Sequence, residues 1–237
     1  MSSEIKANKI SPATGTDFQF GDSGDTFTIP SGVTLTNNGS SSGFDSGLAS
    51  VQIFTSSGTW TKPSGITKVM VEVQGAGGGG DNEVNYRRSG AAGGYVRKLI
   101  DVTSISSATI TVGSGGSSVS SVGATKYSGG DSIWSDGTNT LTSGGGQANG
   151  TSSSIGGTAT GGDINIVGQS GESNPYSGGG NSILGLGATS AISNTRPSPD
   201  GVTPTGYGAG GGSGAGSGSS MVGGPGGDGI VIVTEYK

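Results

Sequence analysis

The sequence predicts an all-β protein: a trimeric N-terminal β stalk, then a glycine-rich β-sandwich-like domain with long glycine-rich loops or polyglycine-II-like segments. Three observations carry that expectation. Short runs alternate apolar and polar residues, the period-2 pattern of strands with one buried face. No run has the apolar spacing of a helix, and no Ser, Thr, Asp or Asn precedes such a run as a cap. Glycine supplies 53 of the 237 residues and hydrophobic residues only 29%, too few for an ordinary core.

The glycine content sets an energetic problem. Each glycine costs roughly 0.5–1 kcal/mol more than alanine to order in regular structure. The sum, on the order of tens of kcal/mol, exceeds the roughly 5–15 kcal/mol net stability of a typical domain. Either much of the chain is disordered, or something besides a monomer core holds it. Two devices qualify: association with identical chains, and backbone packing so close that only glycine permits it. A charged fraction of only 11% and regularly spaced apolar strands weigh against disorder. The lack of a Gly-X-Y period, with only 8 prolines, weighs against a collagen-like chain.

Residues 1–43 are short β-prone pieces broken by Gly15, Gly21, Gly24, Gly32 and Gly39. Phe27, Ile29, Val33 and Leu35 alternate with Thr28, Thr34 and Thr36. Rungs this short bury little alone, whereas three copies wrapped about one axis bury more. The opposing reading is a floppy tail with one hairpin. Residues 44–50 follow as a linker within the Gly/Ser-rich stretch Ser40–Ser50. The second domain takes in residues 51–237. Val51, Ile53 and Phe54 open it as a strand, Trp60 reads as a core anchor, and Pro63 with Gly65 fits a turn.

That turn feeds the stretch Ile66–Gly80, which begins as the strongest strand of the chain. Val69, Val71 and Val73 point one way and Lys68, Met70, Glu72 and Gln74 the other, before the run Gly75-Ala76-Gly77-Gly78-Gly79-Gly80. The same strand-and-glycine pair returns reversed at Gly223–Lys237. These two strands are expected to pair near the middle of the domain, with the glycine-rich chain looped out from a small β core. Further strands are expected at Tyr95–Val102, Ala108–Val112, Asp131–Trp134 and Ile230–Tyr236.

Several function classes fall away. A net charge of −5 and a pI near 4.5 provide no basic stripe for nucleic acid. The longest aliphatic run, Ile230–Val233, is too short to cross a bilayer, so no membrane insertion is expected. The N-terminus lacks the apolar core of a secretory signal. With neither cysteine nor histidine, disulfides, Cys/His zinc sites and Ser-His-Asp chemistry are impossible.

Two motif matches have plain structural readings. Gly75–Gly80 satisfies G-x-G-x-x-G after a strand, but Asp81–Gly94 lacks the helix that dinucleotide binding needs. Gly223–Val231 fits one calcium β-roll nonapeptide, whose sites need tandem copies, so a turn into the last strand is expected. Asp131, Asp136, Asp163, Glu172 and Asp200 are scattered, and no local arrangement selects a pair for glycoside cleavage. The chain is therefore read as no enzyme, with no cofactor and no metal.

The succession Gly58-Thr59-Trp60-Thr61-Lys62-Pro63, Thr67–Val73 and Gly75–Gly80 resembles the glycine-rich domain of bacteriophage tail-fibre and adhesin proteins. Ala92–Val96, Ile110–Gly116, Gly129–Ser132 and Gly223–Tyr236 follow in matching order, so the resemblance covers roughly residues 51–237. Gly24–Gly32 resembles fibre proteins of marine and cyanobacterial phages. The resemblance implies a virion tail component, usually a homotrimer. A tail or baseplate protein would hold its N-terminus, and a host surface glycan or outer-membrane protein would meet its far end. Some such adhesins stack polyglycine-II segments in a lattice. The residues alone leave that arrangement and a sandwich with glycine loops both open.

Polar inserts between glycine runs are the candidate receptor contacts: Asn85, Tyr86, Arg87 and Arg88, then Tyr176, then Arg196 and Tyr207. An aromatic face with amides and guanidinium groups beside it suits a sugar ring and its hydroxyls. Pro197, Pro199 and Pro204 stiffen the last insert and lower the entropy lost on binding. Adsorption to the host is the expected function. The alternatives are a structural fibre connector without receptor contact and a polysaccharide-degrading tail enzyme.

Overall fold

The computed structural model describes residues 26, 28–34, 36, 47–81, 88–118, 127–148, 154–172, 178–189, 201–214 and 222–237. The chain divides into two compact units, Met1–Asp45 and Ser46–Lys237. In the first, the described residues make one turn. Val33 N–H donates to Pro30 O at 3.2 Å and Gly32 holds a φ of 85°, the value a type II turn requires at its third residue. The rest of the expected stalk, Phe27 and Leu35 included, lies outside the described residues.

The second unit is all-β, with no helix among the described residues. β1 (Leu48–Phe54), β2 (Gly58–Thr61), β3 (Lys68–Gln74), β4 (Tyr95–Asp101), β5 (Ser107–Thr111) and β6 (Ser132–Ser135) come first. β7 (Thr140–Ser143), β8 (Ala159–Thr160), β9 (Ile164–Ile166), β10 (Gly185–Leu186), β11 (Thr205–Gly206) and β12 (Ile230–Tyr236) follow. One open antiparallel sheet has the order β1-β12-β3-β4-β9, and a second the order β2-β5-β6-β7-β8. β10 and β11 form a separate two-stranded ribbon.

The valine strand and the C-terminal strand pair as expected. β12 lies antiparallel to β3, from Ile230 opposite Gln74 to Tyr236 opposite Lys68, at the centre of the first sheet. Val69, Val71 and Val73 are fully buried, together with Val96, Val231 and Val233 of the neighbouring strands, and Ile100 is nearly so. They meet Trp60, Ala108, Ile110, Trp134 and Leu141 of the other sheet in one apolar cluster. Each fully buried aliphatic side chain contributes about 1.5–3 kcal/mol. The two indoles anchor the cluster, with centroids 5.2 Å apart. The turn before β3 is also as expected: Ile66 N–H donates to Pro63 O at 3.3 Å, and Gly65 has a φ of 81°.

β1 takes in Leu48–Ser50, residues expected in the linker. The strand begins early because its partner holds it there. Lys237 N–H donates to Gly47 O at 3.2 Å, and the Ser50 hydroxyl donates to the Glu235 carboxylate. Glu235 is fully buried and also accepts from Gln52 Nε2 and Trp60 Nε1, each at 2.7 Å. A buried carboxylate is tolerable only when its lone pairs are filled in this way.

The β6–β7 hairpin closes on Asp136. Its Oδ1 accepts the N–H groups of Thr138 at 2.9 Å and Asn139 at 2.6 Å, and its Oδ2 accepts Trp134 Nε1 at 3.1 Å. Partial burial pushes this carboxyl up, but the bonds from Asn139, Thr138 and Trp134 outweigh it and hold the group below the usual carboxylate range. A depressed folded value stabilises the fold above the unfolded value and ceases to do so as pH falls through the folded one. Asp136→Ala is therefore expected to cost about 1 kcal/mol at pH 7. In thermal melts the gap from wild type should begin to narrow below about pH 4 and shrink further as pH falls through the depressed folded value.

Candidate functional site

At one end of the sheets the chain does not turn back. β3 runs on as 75–81, 88–94 runs into β4, β5 continues as 112–118, and 127–130 leads into β6. Segments 144–148, 154–158, 168–172, 178–180, 208–214 and 222–229 behave alike. Their backbone groups bond neither within the segment nor in a two-residue ladder.

Segment 75–81 shows the rule. Gly75, Gly78 and Asp81 donate to Gly94, Ala91 and Arg88; Ala76 and Gly79 donate to Gly130 and Tyr127; Gly77 and Gly80 donate to Gly227 and Gly224. Every third residue addresses the same neighbour, which runs antiparallel. Its carbonyls, at Ala76, Gly77 and Gly78, accept from three further segments through Gly146, Gly116 and Gly211. A three-residue turn aims N–H groups in three directions and C=O groups between them, so six neighbours exchange backbone hydrogen bonds with one segment. Segment 88–94 repeats the scheme, donating to Glu172 and Gln169, to Gly211 and Gly208, and to Gln147 and Gly144. The result is a lattice built within one chain. Close backbone packing, one of the two devices that the composition allowed, is at work here.

Only glycine fits most of these positions. A Cβ on Gly77 would overlap Ala209 O, one on Gly80 would overlap Gly212 O, and one on Gly90 would overlap Gly78 O. Ala76, Ala91, Ala92 and Ala209 are fully buried where the Cβ finds a gap. At the sheet end, the Gln74 amide stitches strand to lattice. It points away from the valines, as expected, yet is fully buried and donates to Gly93 O at 3.0 Å and Gly94 O at 2.7 Å. Beside it the Tyr95 hydroxyl donates to Glu72; burial first, and then that carboxylate, push the phenol above its ordinary range.

The opposite end of the lattice is where the inserts depart and return. Six stretches, 82–87, 119–126, 149–153, 173–177, 190–200 and 215–221, separate consecutive described segments. The residues flanking them come together: Gly214 N–H donates to Asp81 O, Ser89 N–H to Glu172 O, Gly201 N–H to Val222 O and the Ser154 hydroxyl to Ser89 O. Asp81 and Arg88 clamp the base of the first insert. Arg88 N–H donates to Asp81 Oδ1 at 2.9 Å, and Nη1 lies 3.3 Å from Oδ2.

Of the candidate contacts, Asn85, Tyr86, Arg87, Tyr176 and Arg196 lie outside the described residues. Arg88 is buried, 3% exposed, at the foot of its insert, with its guanidinium on Asp81. Tyr207 follows β11, bonded through its N–H to Leu184 O, and precedes Gly208, which accepts from Gly93 at the sheet end. The structure therefore separates Arg88 from Tyr207 by the length of segment 208–214, about 20 Å at roughly 3.1 Å per residue. Asp81, Ser89, Ser154 and Glu172 were not singled out by the sequence as anchors. Their only signal is position, as polar residues at or near the outer ends of glycine runs.

The remaining sequence motifs are absorbed by the same packing. Asp228 of the nonapeptide accepts Gly115 N–H at 2.7 Å, and the described chain after Gly80 resumes as another lattice segment. Asp131 accepts from Gly145 at 2.9 Å and Asp163 from Leu99 at 3.2 Å, each tied to backbone in a different place. No group of His, Cys, Asp and Glu suited to a metal ion occurs among the described residues.

No curated protein matches the chain. A protein family described as a glycine-rich domain matches residues 52–236, nearly all of the second unit, and the chain belongs to that family.

Proposed function

We propose that the chain is a bacteriophage tail-fibre protein that adsorbs to the host through the inserts of its glycine-rich domain. The observation that carries this reading is the gathering of the insert ends at one end of a rigid lattice. Loops anchored on such a base lose less conformational freedom on binding, which favours recognition by that end. The resemblance of residues 51–237 to tail-fibre and adhesin domains supplies the biological context. In this reading the two sheets form a β-sandwich and the lattice is polyglycine II. Residues 1–43 form a trimeric stalk attached to a tail or baseplate protein. Several weak sites on one fibre then raise avidity.

The partner is a host surface glycan or outer-membrane protein. Purified, fluorescently labelled chain is expected to coat susceptible cells within a panel of marine and cyanobacterial strains and to block phage adsorption to them. Replacing residues 190–200 by a Gly/Ser stretch of equal length should weaken coating at least tenfold and leave thermal unfolding unchanged. A chain that coats no strain, or that coats equally well without its inserts, is a connector and not an adhesin.

A further inference from the structure

We propose that the free edge of β1 is an interaction surface for a second copy of this chain, the two β1 strands pairing antiparallel across a two-fold axis. β1 ends the first sheet, with β12 on one side and no strand on the other among the described residues. A seven-residue edge leaves alternate N–H and C=O groups unpaired, a template for another strand. Natural edges are blunted by charge, proline or shortness. The sequence LASVQIF has no charge and no proline. β9 ends the other side of the sheet with only three residues, too few to offer a comparable ladder.

The side chains fit a second copy. Val51 and Ile53 project from the outer face, 49% and 62% exposed, beside the partly buried Ile232 of β12. With the axis at Gln52, Val51 of one copy lies opposite Ile53 of the other on both sides, and Gln52 lies opposite itself. Apolar faces apolar on the outer face, a cross-strand match that stabilises antiparallel pairs, while the Gln52 amide stays on Glu235 at the inner face. Charge does not oppose the approach. On the same outer face Lys68 is registered with Asp101 and Glu72 with Arg97, so the surface balances itself although the chain carries −5 overall. The β-bulge at Leu48/Ser50 leaves Ser50–Phe54 as the regular part that pairs. The contact lies on the sheet, away from the insert end, and stands whether or not the inserts bind a host; it joins only two copies, so with a three-chain stalk it links neighbouring fibres rather than closing one.

The chain has no cysteine, so an introduced pair reports without background. The full-length Val51→Cys/Ile53→Cys variant, mildly oxidised, is expected to run mostly as a covalent two-chain species on a non-reducing denaturing gel. Directly opposed residues have Cβ atoms within reach of a disulfide. Leu99→Cys, at an equally exposed position on the same face, should stay mostly single. Both variants are checked by thermal unfolding against wild type. Only single chains from the double variant, or equal cross-linking by Leu99→Cys, overturns the proposal.

Discussion

Gly77→Ala is expected to unfold the glycine-rich domain or lower its stability by more than about 3 kcal/mol, beyond the usual range for an overpacked core. The added methyl would meet the carbonyl of Ala209, with the Gly210 nitrogen close behind. These are backbone atoms, each fixed by its own hydrogen bonds, so no rotamer change relieves the clash. Segment 75–81 lies amid its neighbours, and a shift there is felt by all of them. Gly58→Ala is the control. Nothing lies within 4 Å of its Cβ position and its φ is not positive, so stability should change by less than about 1 kcal/mol. Thermal and denaturant unfolding of the two variants checks the pair. Equal, small effects would mean that the segments are not packed at backbone distance.

Trp60→Ala is expected to cost about 3–5 kcal/mol, the range for removing a large buried aromatic. The indole is fully buried against Trp134, and its Nε1 fills a lone pair of the equally buried Glu235. Packing and carboxylate satisfaction are lost together. Trp60→Phe separates them. It keeps most of the volume and removes the bond, for an expected loss of about 1.5–3 kcal/mol. A denaturant series reads both values, and Trp134 fluorescence follows the transition. A Phe variant as stable as wild type would show that Glu235 gains nothing from the indole.

The strands with many apolar residues were legible in the sequence because period 2 is visible when three or more large side chains alternate. β3 satisfies that condition with Val69, Val71 and Val73, and its pairing with β12 was expected from the reversed glycine run at the C-terminus. β7 has one large apolar residue, Leu141, and β8, β10 and β11 have two residues each, so no period could announce them. The lattice posed a different difficulty. Its signal is the direction of N–H and C=O groups every third residue, which glycine does not encode in side chains. Composition could name close backbone packing as one solution but could not say which run touches which. At the candidate site, the sequence marked Arg88 as a polar insert residue. Its aspartate partner seven positions back, which makes it the foot of the insert, emerges only when 75–81 and 88–94 lie side by side.

The lattice divides the molecule into two regimes of tolerated sequence change. At Gly77 or Gly90 no other side chain fits, so drift is nearly forbidden. An insert that leaves and returns at neighbouring segments can lengthen at only about 0.6 kcal/mol per doubling. Changes of length and sequence are therefore tolerated between the segments, while the glycine spacing within them is held by backbone contact.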